Sequence, residues 1–204
     1  MEHLTTIVTA LFSLISVISV AWFGYNQTTK DKKTDLKIEQ IKADDKKKRA
    51  MHNRDTAVIY GEIWNVLHEL KADRCFILQP HPETKHKYLS VAFEVHRKGV
   101  SSIKELLNDI PISSVVNITK EFATNVWLYY DDVEHQVHDK RAKSLMRLGG
   151  ATHFAFKQLV NTSGDWVGTL AVENTTGKKL DETTTRIEMR KAANIIQYIL
   201  PPID

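Results

Sequence analysis

The sequence predicts an α+β domain with an antiparallel sheet flanked by helices, preceded by one transmembrane helix and a polar helical stalk. Three observations lead there. The chain opens with an uncharged run of 22 residues, 4–25, LTTIVTALFSLISVISVAWFGY. Four short apolar runs rich in β-branched and aromatic residues, at 75–79, 88–95, 152–160 and 166–173, read as strands. Amphipathic segments at 52–70 and 181–200 bracket those strands as helices.

As a helix rising about 1.5 Å per residue, the first run reaches about 33 Å and can cross a hydrocarbon core of about 30 Å. Leu4, Leu11, Phe12, Leu14 and Ile15 supply the greasy surface, and Trp22, Phe23 and Tyr25 gather at one end, where aromatics favour the headgroup layer. Ser and Thr hydroxyls return to backbone carbonyls, which lowers their cost in lipid. A cleaved signal peptide is the competing reading, because Ser19-Val20-Ala21 has small residues at the required spacing. The residues before the run include Glu2 and His3 and no Lys or Arg, the wrong charge for that signal.

The net charge of +3 conceals a partition. Between Lys30 and Arg49 there are nine basic and five acidic residues, and from Ala50 onward nineteen of each. Cations beside the apolar run and none before it place the N-terminus outside and the C-terminal domain in the cytoplasm. The same lysines can rest against anionic headgroups or serve only to set topology. A formally neutral domain has no footprint for phosphate backbones, so nucleic acid is not expected as a partner. Residues 26–51 form the basic stalk; Leu36, Ile38 and Ile41 sustain no heptad, so helix and disordered tether both remain open. The domain occupies 52–204.

Within it, Val58, Ile59, Ile63, Trp64, Val66, Leu67 and Leu70 recur at helical spacing. The strand CFILQ is expected to close at Pro80 and Pro82, with a hairpin loop at 81–87 leading into YLSVAFEV. The stretch 101–150 reads as mostly helical, broken at Ile110-Pro111-Ile112, with room for a further strand and a short helix at 140–148 ended by Gly149-Gly150. Residues 161–165, NTSGD, make the turn between the last two strands, with Gly164 free to take a positive φ. The closing helix places Ile187, Ala192, Ile195, Ile196 and Ile199 on one face, and Pro201-Pro202 stop it. The lone Cys75, inside an apolar run, reads as a small buried hydrophobe and excludes an intrachain disulfide.

The final third, GDWVGTLAVENTTGKKLDETTTRIEMRKAANII (164–196), resembles the GAF domain family. The likeness lies in the closing hairpin strand, the G-x-L-x-x-x-N centre of Gly168, Leu170 and Asn174, and the C-terminal helix. The helix-Gly-strand step at 144–149 before the strand at 152–159 and the opening helix-strand pair carry it upstream, over roughly 54–200. The resemblance implies a small molecule held between the sheet and the middle helices, or a dimerisation module. Relatives that bind cyclic nucleotides carry Asn-Lys, Phe and Asp-Glu. Here Asn174 and Lys178 are not adjacent and Leu180 stands in place of Phe, ahead of Asp181-Glu182. Bilin-binding relatives use a linking Cys in the helical middle, and sulfoxide-reducing relatives use several; this chain has neither.

Five residues are candidate ligand contacts: Trp127, Tyr129, Tyr130, Asp131 and His153. The Tyr129–Asp132 stretch can meet a cation or polar ligand at the mouth of a cleft, or cap a following helix. Trp127 can wall a pocket or sit in the core, and His153 can be a pocket-edge group or a satisfied core group. His135 and His138 have the i, i+3 spacing of a metal pair but no third ligand in sequence, so no metal is expected. No nucleophile elbow, P-loop, dinucleotide or zincin motif occurs, so an enzyme is not expected and no cofactor is named. The resulting expectation is a membrane-anchored sensory or regulatory module. It would bind a small ligand or a downstream protein and form a homodimer on the lipid bilayer. The alternative is a structural or membrane-active protein, holin-like or scaffolding, with Ser13, Ser16 and Ser19 packing helices in lipid and the soluble domain only controlling oligomerisation.

Overall fold

The protein is described from a computed structural model covering residues 37, 39, 41–82 and 85–203. The chain divides into two units, Met1–Met51 and His52–Asp204. The described residues of the first unit, 37, 39 and 41–51, are helical and exposed. The expected membrane span 4–25, with Leu4, Leu11, Phe12, Leu14, Ile15, Trp22, Phe23 and Tyr25, lies outside the described residues. Among the described residues no helix is long and apolar enough to cross a membrane.

The second unit runs α1 (52–69), β1 (Arg74–His81), β2 (Tyr88–His96), β3 (Ile110–Pro111), a 3₁₀ turn (Ile112–Ser114), α2 (Val116–Thr124), β4 (Trp127–Tyr130), α3 (Val133–Gln136), α4 (Lys140–Leu148), β5 (His153–Val160), β6 (Trp166–Asn174) and α5 (Glu182–Ile196). The six strands form one antiparallel sheet in the order β3-β2-β1-β6-β5-β4. The expected α+β class with an antiparallel sheet is therefore observed.

Strand alternation sorts the core into two layers. Phe76 and Leu78 of β1, Phe154 and Phe156 of β5 and Ala171 of β6 join Ile118 and Phe122 of α2 and Leu145 and Met146 of α4 on one face. Cys75, Ile77, Ala155, Leu159, Leu170 and Val172 join Ile59, Ile63, Val66 and Leu67 of α1 and Met189, Ala192 and Ile196 of α5 on the other. All eight residues of β1 are buried, as expected of a central strand covered on both sides.

Several elements depart from the expectation. β1 continues through Pro80 to His81, because beyond Leu78 it pairs with β2 alone, and a missing N–H there breaks no bond to β6. In β2 the register slips, Ile77 facing Phe93 and Leu78 facing Val91, so Ala92 forms a bulge. The bulge sends Leu89 and Val91 to the α2/α4 face and Phe93 to the α1/α5 face. The stretch expected to be mostly helical, with room for a further strand, contains β4 as that strand, and departs from expectation in its turn-rich segment at 101–109. On the bracketing helices, Val58, Trp64, Ile187 and Ile195 are exposed although their spacing had grouped them with the core. The buried stripe is narrower than the apolar one.

Candidate functional site

The face under α2 and α4 is where the geometry becomes chemically specific. Asp139 fixes both helices. Its Oδ1 accepts from the N–H groups of Arg141 and Ala142, each at 3.0 Å, capping α4, and its Oδ2 accepts from the Ile118 N–H of α2 at 3.3 Å. Between these helices, the sheet and the 101–110 segment lies an apolar cavity of about 40 Å³, with Phe76, Leu89, Ile103, Phe122, Ala142 and Met146 on its wall. Among the described residues, the only charged one lining it is Glu173.

Glu173 of β6 is fully buried and stands across the ladder from Arg74 of β1. Arg74 Nη1 donates to Glu173 Oε1. Arg74 Nη2 donates to the Ser101 carbonyl at 2.6 Å, and the guanidinium also reaches the Gly149 carbonyl. Arg74 Nε lies 3.4 Å from Glu94 Oε1. Burial pulls the Arg74 pKa down while Glu94 and Asp73 push it back up, and a guanidinium stays charged in either case. Glu94 is fully committed: Oε1 accepts from Ile103 N–H at 2.9 Å, and Oε2 accepts from Ser102 Oγ at 2.6 Å and Lys104 N–H at 3.2 Å. Glu173 Oε2, by contrast, is buried without a hydrogen-bond partner. A buried acceptor left open is costly, so its persistence calls for a reason.

The five expected ligand contacts are not brought to one place. Trp127 and Tyr129 pack on the α1/α5 face, and Tyr130 on the α2/α4 face. Tyr129 donates its hydroxyl to the Leu180 carbonyl at 2.6 Å; burial, with Asp131, Glu182 and Asp181 nearby, raises its pKa. Tyr130 donates to Glu121, and burial together with that carboxylate raises its pKa strongly. Asp131 and the buried His153 line a separate open groove with Asp132, Glu134, Arg147 and Thr152, where His153 Nδ1 lies 3.0 Å from Thr152 Oγ1. Asp132 caps α3 and pairs with His135 at 2.6 Å, while His138 is exposed. Among the described residues no group of three or more His, Cys, Asp or Glu is arranged to hold a metal.

Other residues of the resemblance hold the fold together. Asn174 accepts from the Asp73 N–H at 2.9 Å and donates to the Lys178 carbonyl at 2.7 Å, and Asp181 caps α5 through Thr184 N–H. Gly168 is required by crowding: a Cβ there would meet the Leu78 carbonyl oxygen at 3.0 Å. Cys75 is buried on the face opposite the cavity, and burial pushes its thiol far above the usual range, so it is not a reactive nucleophile. Sequence reasoning passed over Arg74 and Glu173. The available signal was a charge at a strictly inward position of an apolar strand, VEN in β6 and RCF in β1.

No family model matches the sequence, and no curated protein matches it. Solved structures do resemble the fold. GAF3 from Slr1393 of Synechocystis sp. PCC6803, in its photoproduct state, is similar with a TM-score of 0.58 and 16% identity, over 70% of this chain and 90% of that one. The blue-light absorbing form of the PixJ GAF domain from Thermosynechococcus elongatus gives a TM-score of 0.58 at 10% identity, covering 72% and 88%. A domain assigned to a two-component sensor histidine kinase protein from Sinorhizobium meliloti 1021 gives 0.50 at 12% identity, covering 67% and 84%. The fold is GAF-like.

Proposed function

We propose that the chain is a membrane-anchored sensory or regulatory module whose GAF-like domain binds a small ligand, or a partner protein, on the α2/α4 face. The observation that carries this reading is the apolar cavity under α2 and α4, lined in part by Glu173, whose Oε2 is buried without a hydrogen-bond partner. The similar structures support it, being a light-absorbing GAF domain, a GAF domain in a photoproduct state and a sensor kinase domain. The cavity, about 40 Å³, is well below the roughly 150 Å³ that admits benzene, so the ligand is compact. Calorimetry of the full chain against a panel of compact metabolites tests the reading: one saturable site is expected, and silence across the panel counts against sensing.

The anchor is the run 4–25, and the stalk cations orient the domain into the cytoplasm. Full chain that leaves the membrane fraction at alkaline pH without detergent would remove the anchor from this reading. Homodimerisation is supported by apolar side chains on the outside of the bracketing helices: Trp64 of α1, Ile187 and Ile195 of α5, and Tyr198 just beyond, are 50%, 49%, 43% and 64% exposed. Light scattering of the full chain in detergent should give a dimer that Trp64→Glu with Ile187→Glu converts to monomer.

A further inference from the structure

Lys157 is the charge that the α1/α5 layer does not accommodate. It occupies an inward-facing position of β5 between Ala155 and Leu159, both at zero exposure, and is itself half-buried. Its neighbours across the two ladders, Trp127 of β4 and Leu170 of β6, are uncharged. Among the described residues neither Lys157 nor Arg190 takes part in a salt bridge. The charged group that acts on Lys157 is Arg190 of α5, the helix packed over β5, and it has the same sign. Burial, and after it Arg190, holds the Lys157 pKa below its usual value, so more of this side chain is free amine than at an exposed lysine. A desolvated lysine beside a second cation is an activated nucleophile. Nζ donates to the Gln158 carbonyl at 3.1 Å, a bond that the neutral amine keeps while its lone pair stays available.

The same setting selects the electrophile. A carbonyl compound gives a Schiff base, whose protonated form returns a cation to the side of Arg190. An acyl donor only neutralises the charge. Carbon dioxide inverts it, turning like-charge repulsion into an ion pair, and is small enough to reach a half-buried amine. We propose that Lys157 is a carbon dioxide site, where Nζ forms a reversible carbamate whose carboxylate faces Arg190. The amine lone pair attacks the carbon, the Nζ–C bond forms as one C=O π bond opens onto oxygen, and one Nζ proton passes to water. Nothing is oxidised or reduced. The N–H that remains continues to donate to the Gln158 carbonyl. This site is on the α1/α5 face, with Trp127, Ala155 and Leu159, and stands whether or not the α2/α4 cavity binds a ligand.

The test is chemical trapping. Full chain in detergent is equilibrated with isotopically labelled bicarbonate and alkylated with a trialkyloxonium salt, which fixes carbamates as esters, and the labelled peptides are read by mass spectrometry. Lys157 is expected to carry about tenfold or more label than the exposed Lys98 and Lys140. Arg190→Gln removes both the neighbouring cation and the partner of the product, and should lower the Lys157 label about threefold or more. Uniform label over the three lysines, or none on Lys157, overturns the proposal. So does a Lys157 yield that Arg190→Gln leaves unchanged. Arg190 is exposed on α5, and should its variant still fail to fold, the distribution of label in the wild-type chain decides alone.

Discussion

The two faces of the sheet differ in how completely they are filled. Under α1 and α5, Ile59, Ile63, Cys75, Ile77, Met189 and Ile196 are all at zero exposure and interlock as a protein interior should. Under α2 and α4 the same strands present equally buried aromatics, Phe76, Phe154 and Phe156, yet a cavity persists there beside a buried guanidinium and two carboxylates. Both faces are made by one alternation of side chains, so patterning alone does not account for the difference. It comes from what covers them. Two helices of 15 or more residues close one face, while two nine-residue helices and a turn-rich segment close the other. A void and an open charge in the less regular cover are features that folding does not need.

The largest effect is expected at Arg74. Arg74→Met leaves Glu94 and Glu173 buried without their cation and should cost about 3–5 kcal/mol in urea unfolding. The double variant with Glu173→Leu should recover part of that loss; a single variant that costs under about 1 kcal/mol would mean the Arg74 cluster is not a fixed element of the fold.

Next comes one substitution placed on each face. Ala155→Val adds a branch to the filled α1/α5 layer and should lose about 1–3 kcal/mol. Ala142→Val, on the cavity wall, should be neutral or gain about 0.5–1 kcal/mol. Equal losses at both sites would erase the distinction between the faces. The cover itself is sharpened by Asp139→Ala, which removes the cap of α4 and its link to α2 and should cost about 1–2 kcal/mol by the same measurement.

The smallest effect is one of pH. Burial would raise the Asp73 carboxyl, but bonds from the backbone and hydroxyls of Thr175 and Thr176 outweigh it and hold the pKa below the usual value. A carboxylate depressed in the folded state contributes stability that is complete above the unfolded value of about 3.9 and is lost as pH falls through the folded value. The wild-type chain should therefore lose stability below about pH 4 more steeply than Asp73→Asn, and parallel acid profiles would contradict this.

Much of this architecture was legible from residue order. The helix at 140–148 appears as expected, ended by Gly149, and the last hairpin turns with Gly164 at φ 85°. Those signals are local, needing only caps, spacing and a residue tolerant of positive φ. What escaped was set by partners distant in sequence. The middle had room for a further strand, but its position was fixed only by β5, where Lys157–Phe154 lies against Trp127–Tyr130 of β4. The bulge at Ala92 depends on the ladder to β1 and reverses which side Phe93 faces. At the site, the aromatics and Asp131 drew notice as exposed-looking chemistry, but the sheet divides Trp127 and Tyr129 from Tyr130. Glu173 gave only the weak signal of a charge in an apolar strand. Its meaning depends on Arg74, 99 residues earlier.

Two methionines report on the two faces separately: Met146 lines the cavity and Met189 is fully buried under α5. Methyl-labelled full chain, titrated with the compound that binds in calorimetry, should show the Met146 resonance moving to saturation while Met189 stays in place. Saturating binding that shifts Met189 and leaves Met146 unmoved would contradict the assignment of the α2/α4 face as the ligand site.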